Sequence, residues 1–190
     1  MIKIALVGDI GSGKSHISKL FNYPVFNADH EVSEIYKKDK NCFNKIHKMF
    51  PKQIFSFPIK KNELINCILD EPKNLRKLSD VVHPVVRKKL NLFIKKNKNK
   101  KFIILDIPLY LENKLNSKKD IIVFIDSKKE EIKKRLLKRK GFNSDLLNIF
   151  RKIQFSLKLK KKASNFIIKN DFSSKTVKKS VKNILSKLSI

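Results

Sequence analysis

Glycine is scarce in this chain: 4 among 190 residues, and three of them, Gly8, Gly11 and Gly13, fall within one short stretch. Cysteine is scarcer, with Cys42 and Cys67 alone. Neither sits in a C-x-x-C or Cys/His pattern, which excludes a disulfide scaffold and a zinc finger and points to thiols in a reducing compartment. No apolar run reaches the length of a membrane span, and the N-terminal run is too short for a secretory signal. A cytoplasmic protein without membrane association is therefore expected. Acidic residues are few, 17 against 45 Lys and Arg, for a formal charge of +28. Within that basic excess arginine is the rarity, limited to Arg76, Arg87, Arg135, Arg139 and Arg151.

Such a charge ordinarily raises nucleic-acid binding. Here the basic residues run along the whole chain, and the bidentate fork that phosphate readers favour is what the chain lacks. The excess reads as solvated surface that draws in anionic substrates and adheres to polyanions at low salt. No specific nucleic-acid partner is expected.

The clustered glycines are the informative feature. A buried apolar run, Ile4-Ala5-Leu6-Val7, empties into Gly8-Asp9-Ile10-Gly11-Ser12-Gly13-Lys14-Ser15, and Ile17, Leu20 and Phe21 then recur at helical spacing. Strand, G-x-x-x-x-G-K-S and helix in that order specify a P-loop. Its glycines let the backbone curl so that N–H groups of Gly8, Gly11, Ser12 and Gly13 turn inward at phosphate oxygens, aided by the helix N-terminus. Lys14 would reach the β- and γ-phosphates and Ser15 would hold Mg²⁺ through its hydroxyl. The competing reading, a plain glycine turn, does not explain why a glycine-poor chain concentrates glycine here.

Further along, Tyr23–Asp29 reads as a short second strand closed by a carboxylate. Asp29 belongs at the carboxyl edge of the sheet, where ligands of open α/β folds bind, and helix N-cap is its equal alternative. Residues 31–93 are helical in pattern, too long for a single crossover, and read as an insertion that binds substrate, with His83-Pro84 inside. Phe102–Asp106 and Ile121–Asp126 are two more buried strands. Asp106 could assist Mg²⁺ through water. A basic helix over 128–140 puts Arg135 and Arg139 on one face for phosphate recognition; a solvated face with ordinary salt bridges is the alternative. Another helix spans 144–162. Phe166–Ile168 is a fifth strand closed by Asn170, and 174–188 is an amphipathic terminal helix. The predicted fold is α/β: a P-loop NTPase-like five-stranded parallel sheet flanked by helices, with a helical substrate-binding insertion and a basic helical lid. The nucleotide-binding core would comprise 1–30, 101–128 and 163–190, the substrate domain 31–100 and the lid 129–162.

These residues, taken in register, resemble the dephospho-CoA kinases over nearly the full length. The resemblance rests on the G-x-I-G-S-G-K-S loop, Ala28-Asp29, His83-Pro84, Pro108-Leu109-Tyr110-Leu111-Glu112, Arg135-Leu136 with Arg139, Gln154, and Ile168-x-Asn170. It implies transfer of the γ-phosphoryl of ATP to the ribose 3′-hydroxyl of dephospho-CoA with Mg²⁺. Asp29 would activate that hydroxyl, assisted by Lys14 and Arg139. His16, Arg135 and Asn170 would join the loop in holding ATP, and His83 and Glu112 would face the CoA substrate. The chain departs from the family pattern at Asp9 (usually glycine), Asn27 (the first acid of D-A-D), His16 (threonine), Pro51 (glycine) and Ile132 (glutamine). Two other readings remain: a P-loop kinase for another small molecule or nucleoside monophosphate, and a basic RNA-binding protein that keeps an ATP site. A monomer or small homo-oligomer is expected.

Overall fold

Five runs rich in branched and aromatic residues pair into one sheet. In the computed structural model, which describes residues 1–189, they are β1 (Ile2–Gly8), β2 (Val25–Asn27), β3 (Phe102–Asp106), β4 (Ile121–Ser127) and β5 (Phe166–Asn170). All neighbours are parallel, in the order β2-β3-β1-β4-β5. The predicted five-stranded parallel sheet is thus present. From β1 the chain crosses to β2, returns to β3 and then passes to the other side at β4. The carboxyl end of β1 therefore lies where connections diverge, the place at which doubly wound sheets bind ligands.

Nine helices complete the described residues: α1 (Lys14–Leu20), α2 (Ala28–Lys38), α3 (Lys40–Met49), α4 (Lys61–Asp70), α5 (Asn74–Lys96), α6 (Lys129–Leu137), α7 (Ser144–Lys152), α8 (Leu157–Lys162) and α9 (Ser174–Lys187). The chain divides into two compact units. One comprises Met1–Asn27, Asn97–Phe142 and the chain from Ile153 onward; the other comprises Ala28–Lys96 and Asn143–Lys152.

The sheet unit is held by a core that follows the period-two alternation of its strands. Ile4 and Leu6, Phe102 and Ile104, and Val123 and Ile125 share one cluster with Ile17 and Phe21 of α1 and Val177, Val181 and Ile184 of α9. The intervening Ala5, Ile103, Leu105 and Phe124 are buried as well, as expected of a parallel sheet covered on both faces. At the amino end of β1, Asp120 gathers Lys3 Nζ at 2.8 Å, Tyr110 Oη at 2.6 Å and both Ser117 N–H and Oγ at 2.8 Å. This fastens the loop after β3 to β1.

The helical unit has its own core, with Ile35, Cys42, Ile46, Ile54, Cys67, Leu78 and Val82 buried together and Leu146 and Ile149 of α7 packed on it. Both cysteines are free and buried. Lys89 on α5 pairs with Glu31 on α2 at 2.9 Å. Glu63 accepts the N–H groups of Phe55 and Ser56 and the Ser56 hydroxyl, holding the loop before α4.

Three helix boundaries differ from the sequence expectation. α2 starts at Ala28, so Asp29 sits inside its first turn and does not precede it. α6 stops at Leu137, where the N–H groups of Lys138 and Arg139 both turn back onto Leu136 O. Arg139 therefore lies beyond the helix and shares no helical face with Arg135, because residues 138–141 give another turn nothing apolar to bury. The expected 144–162 helix is two: α7 ends at Lys152, and Ser156 caps α8 by accepting the Leu159 N–H. A serine that satisfies an orphan amide begins a new helix more readily than it continues an old one.

Candidate active site

The loop between β1 and α1 depends on what lies beneath it. Asn170, buried at the end of β5, donates its side-chain amide to Ser12 O at 2.8 Å, and Ser127 Oγ at the end of β4 donates to the same carbonyl at 3.0 Å. In a trans peptide the C=O and the following N–H point oppositely. Drawing Ser12 O down towards β4 and β5 therefore turns Gly13 N–H the other way. Gly13 is left-handed at φ 91°, and a Cβ there would come within 2.7 Å of Asn170 Nδ2. At Gly8 a Cβ would stand 2.8 Å from the Ile125 carbonyl. Only glycine fits at either place, which accounts for where this chain spends it.

Lys14 extends back along the loop, its ammonium 3.2 Å from Gly8 O and 2.8 Å from Asp9 O. The Ser12 hydroxyl is buried and makes no hydrogen bond, so Ser12 shapes the loop through its backbone. Ser15 and His16 are exposed on the first turn of α1. Asp106, at the end of β3, is buried, and its Oδ2 accepts Asn27 Nδ2 at 2.6 Å. The two residues are register partners on neighbouring strands. A hydroxyl and a carboxylate suit a hard cation such as Mg²⁺. Among the described residues no group of three or more His, Cys, Asp or Glu side chains could cage a metal.

Arg135 of α6 lays its guanidinium 3.9 Å from the ring centroid of Phe172. The ring's edge is 3.6 Å from where a Gly13 Cβ would stand. Sequence reading passed over Phe172; its one signal was an aromatic residue two positions after Asn170, whose Oδ1 accepts the Phe172 N–H at 2.9 Å. The sheet unit thus gathers Asn170, Phe172 and Arg135 at the loop, with Asp106 at the end of the neighbouring strand β3, while Arg139 is exposed in the turn after α6. Glu112 is engaged differently from a surface ligand. Its Oε1 lies 3.0 Å from Lys160 Nζ and accepts the Phe155 N–H at 2.9 Å, with the paired side chains only 7% and 4% exposed. Lys160 also donates to Gln154 at 2.8 Å.

Asp29 and His83 belong to the helical unit. Asp29 is exposed in the first turn of α2. His83 is half-buried within α5, which continues through Pro84. Burial first, and then Arg87, lower the His83 pKa below its ordinary 6.5 against the opposing pull of Asp80. The ring is therefore neutral at pH 7, an imidazole able to accept or donate a hydrogen bond.

The dephospho-CoA kinase family profile matches residues 2–176. The dephospho-CoA kinase of Wolbachia sp. subsp. Brugia malayi (strain TRS) is 35% identical over 192 residues, covering 98% of each chain. That of Wolbachia pipientis wMel is 32% identical over 192 residues with the same coverage. Among solved structures, the fold resembles TT1252 from Thermus thermophilus (TM-score 0.76, 24% identity, 98% and 97% of the two chains). It also resembles the dephospho-CoA kinase from Campylobacter jejuni (TM-score 0.62, 22% identity, 98% and 96%). The chain belongs to the dephospho-CoA kinase family.

Proposed function

We propose that this chain transfers the γ-phosphoryl group of ATP to the ribose 3′-hydroxyl of dephospho-CoA, yielding CoA and ADP in the last step of CoA biosynthesis. The observation that carries the reading is the braced phosphate loop at the carboxyl end of the central strand, in a chain matched by that family over residues 2–176. The cytoplasm is the proposed setting.

Phosphoryl transfer asks little covalent chemistry of a protein and much positioning and charge neutralisation. The loop amides and Lys14 would hold the phosphate chain, and Arg135 and Arg139 would supply further positive charge to it. Ser15, with Asp106 acting through water, would hold Mg²⁺. When bound, that ion neutralises charge on the β- and γ-phosphates. Asp29 would accept the proton of the 3′-hydroxyl as that oxygen bonds to the γ-phosphorus and the bond to the β–γ bridging oxygen breaks, leaving ADP. A positioned base is worth about 10²–10⁴-fold. The helical unit, with His83, would take the CoA substrate, and 129–162 would serve as the lid.

The test is ADP release by the purified chain with and without dephospho-CoA, beside a panel of nucleoside monophosphates and small alcohols. Release that depends on dephospho-CoA is expected, and an Asp29→Asn variant should lose about 10²–10⁴-fold of it while still binding ATP. Release driven equally by another acceptor would overturn the assignment.

A further inference from the structure

The loop carries an anion of its own. Asp9 is its second residue, and Asp9 Oδ1 accepts the Ile10 N–H at 2.7 Å. The carbonyl of the same residue receives the Lys14 ammonium at 2.8 Å and the Ser12 N–H at 3.2 Å. A phosphate cradle works by offering backbone N–H groups and a lysine to an incoming anion. Here the loop itself holds a carboxylate, fixed on the Ile10 N–H, in the residue whose carbonyl receives that lysine.

We propose that Asp9 is a charge filter on nucleotide binding: it disfavours the metal-free triphosphate and admits the Mg²⁺ complex, making the divalent ion a condition of binding as well as of transfer. This inference rests on the P-loop reading above. Repulsion scales with the product of the charges, and metal-free ATP carries about twice the negative charge of its Mg²⁺ complex, so a fixed carboxylate separates the two forms. A carboxylate that merely tied down the Ile10 N–H would not. Its loss would change the loop's shape and shift both forms together.

The experiment is calorimetric titration of the full chain with a non-hydrolysable ATP analogue, in Mg²⁺ and in EDTA, for wild type, Asp9→Asn and Asp9→Gly. Both substitutions should strengthen metal-free binding about tenfold and binding of the Mg²⁺ complex only about threefold, and the difference between wild type and variants should shrink at high salt. Equal shifts of the two forms, no shift, or a selective gain in only one variant would overturn the proposal. The result is independent of phosphoryl transfer: the kinase assignment fails on absent acceptor-dependent ADP release, whatever this titration shows.

Discussion

Asn170 bears on the phosphate loop through an architecture that no short motif describes. Its amide is buried, with one end on Ser12 O and the other on the Phe172 N–H. Asn170→Ala would leave Ser12 O with Ser127 Oγ as its one remaining brace and take the acceptor from the Phe172 N–H, at a cost of about 1–3 kcal/mol, and would loosen the loop. Chemical denaturation should report that loss, and nucleotide titration should show weakened binding even though no loop residue has changed. Unaltered nucleotide affinity would mean that the loop holds its shape without this brace. Asp120 makes a second prediction at this scale. Burial alone would raise its pKa, but hydrogen bonds from Lys3, Tyr110 and Ser117 outweigh that and hold it below the ordinary 3.8. A carboxylate depressed on folding contributes stability that is present above pH 3.8 and lost as pH falls through the lower folded value. Asp120→Asn should therefore destabilise the chain at pH 7 and flatten the acid limb below about pH 4, measured by melts across pH. An acid limb as steep as that of the wild type would refute it.

Among the elements, the segment 154–160 is tied to the loop after β3 by one buried ion pair. Glu112 and Lys160 lie 3.0 Å apart with almost no exposure. Removing one partner of such a pair strands a buried charge and costs about 3–5 kcal/mol, whereas replacing both with apolar residues is often nearly neutral. Glu112→Gln should fall near that range, and Glu112→Met with Lys160→Leu should recover most of it. The cycle is read by denaturant midpoint, and losses that simply add would argue against direct coupling. Helix extents show the same dependence on packing. The apolar spacing of α1 and α9 announced both helices, since Ile17 and Phe21, and Val177, Val181 and Ile184, face one core. The end of α6 at Leu137 and the break before Ser156 had no comparable periodic signal, because ends are set by capping partners and by where buried surface runs out.

Over the whole molecule, the charge of +28 and the scarcity of arginine make one prediction together. Binding to RNA should be present at low salt and fall about 10³-fold or more between 50 and 200 mM, with sequence making little difference. A filter-binding salt series measures it, and binding that persists at 200 mM would revive the reading of a dedicated RNA partner.

What the sequence determined by itself is the set of local patterns. Buried parallel strands are short continuous apolar runs, and a phosphate loop is eight consecutive residues whose chemistry needs no distant partner. Strand content, loop and family were legible for that reason. Tertiary structure decided the pairings. Asn27 meets Asp106 across 79 positions, Asn170 reaches Ser12 across 158, and Phe155 donates to Glu112 across 43. The first follows from strand register and the other two from how loops pack against the rest of the sheet unit, and a buried polar residue's partner becomes definite only when folding removes the water that could have served instead.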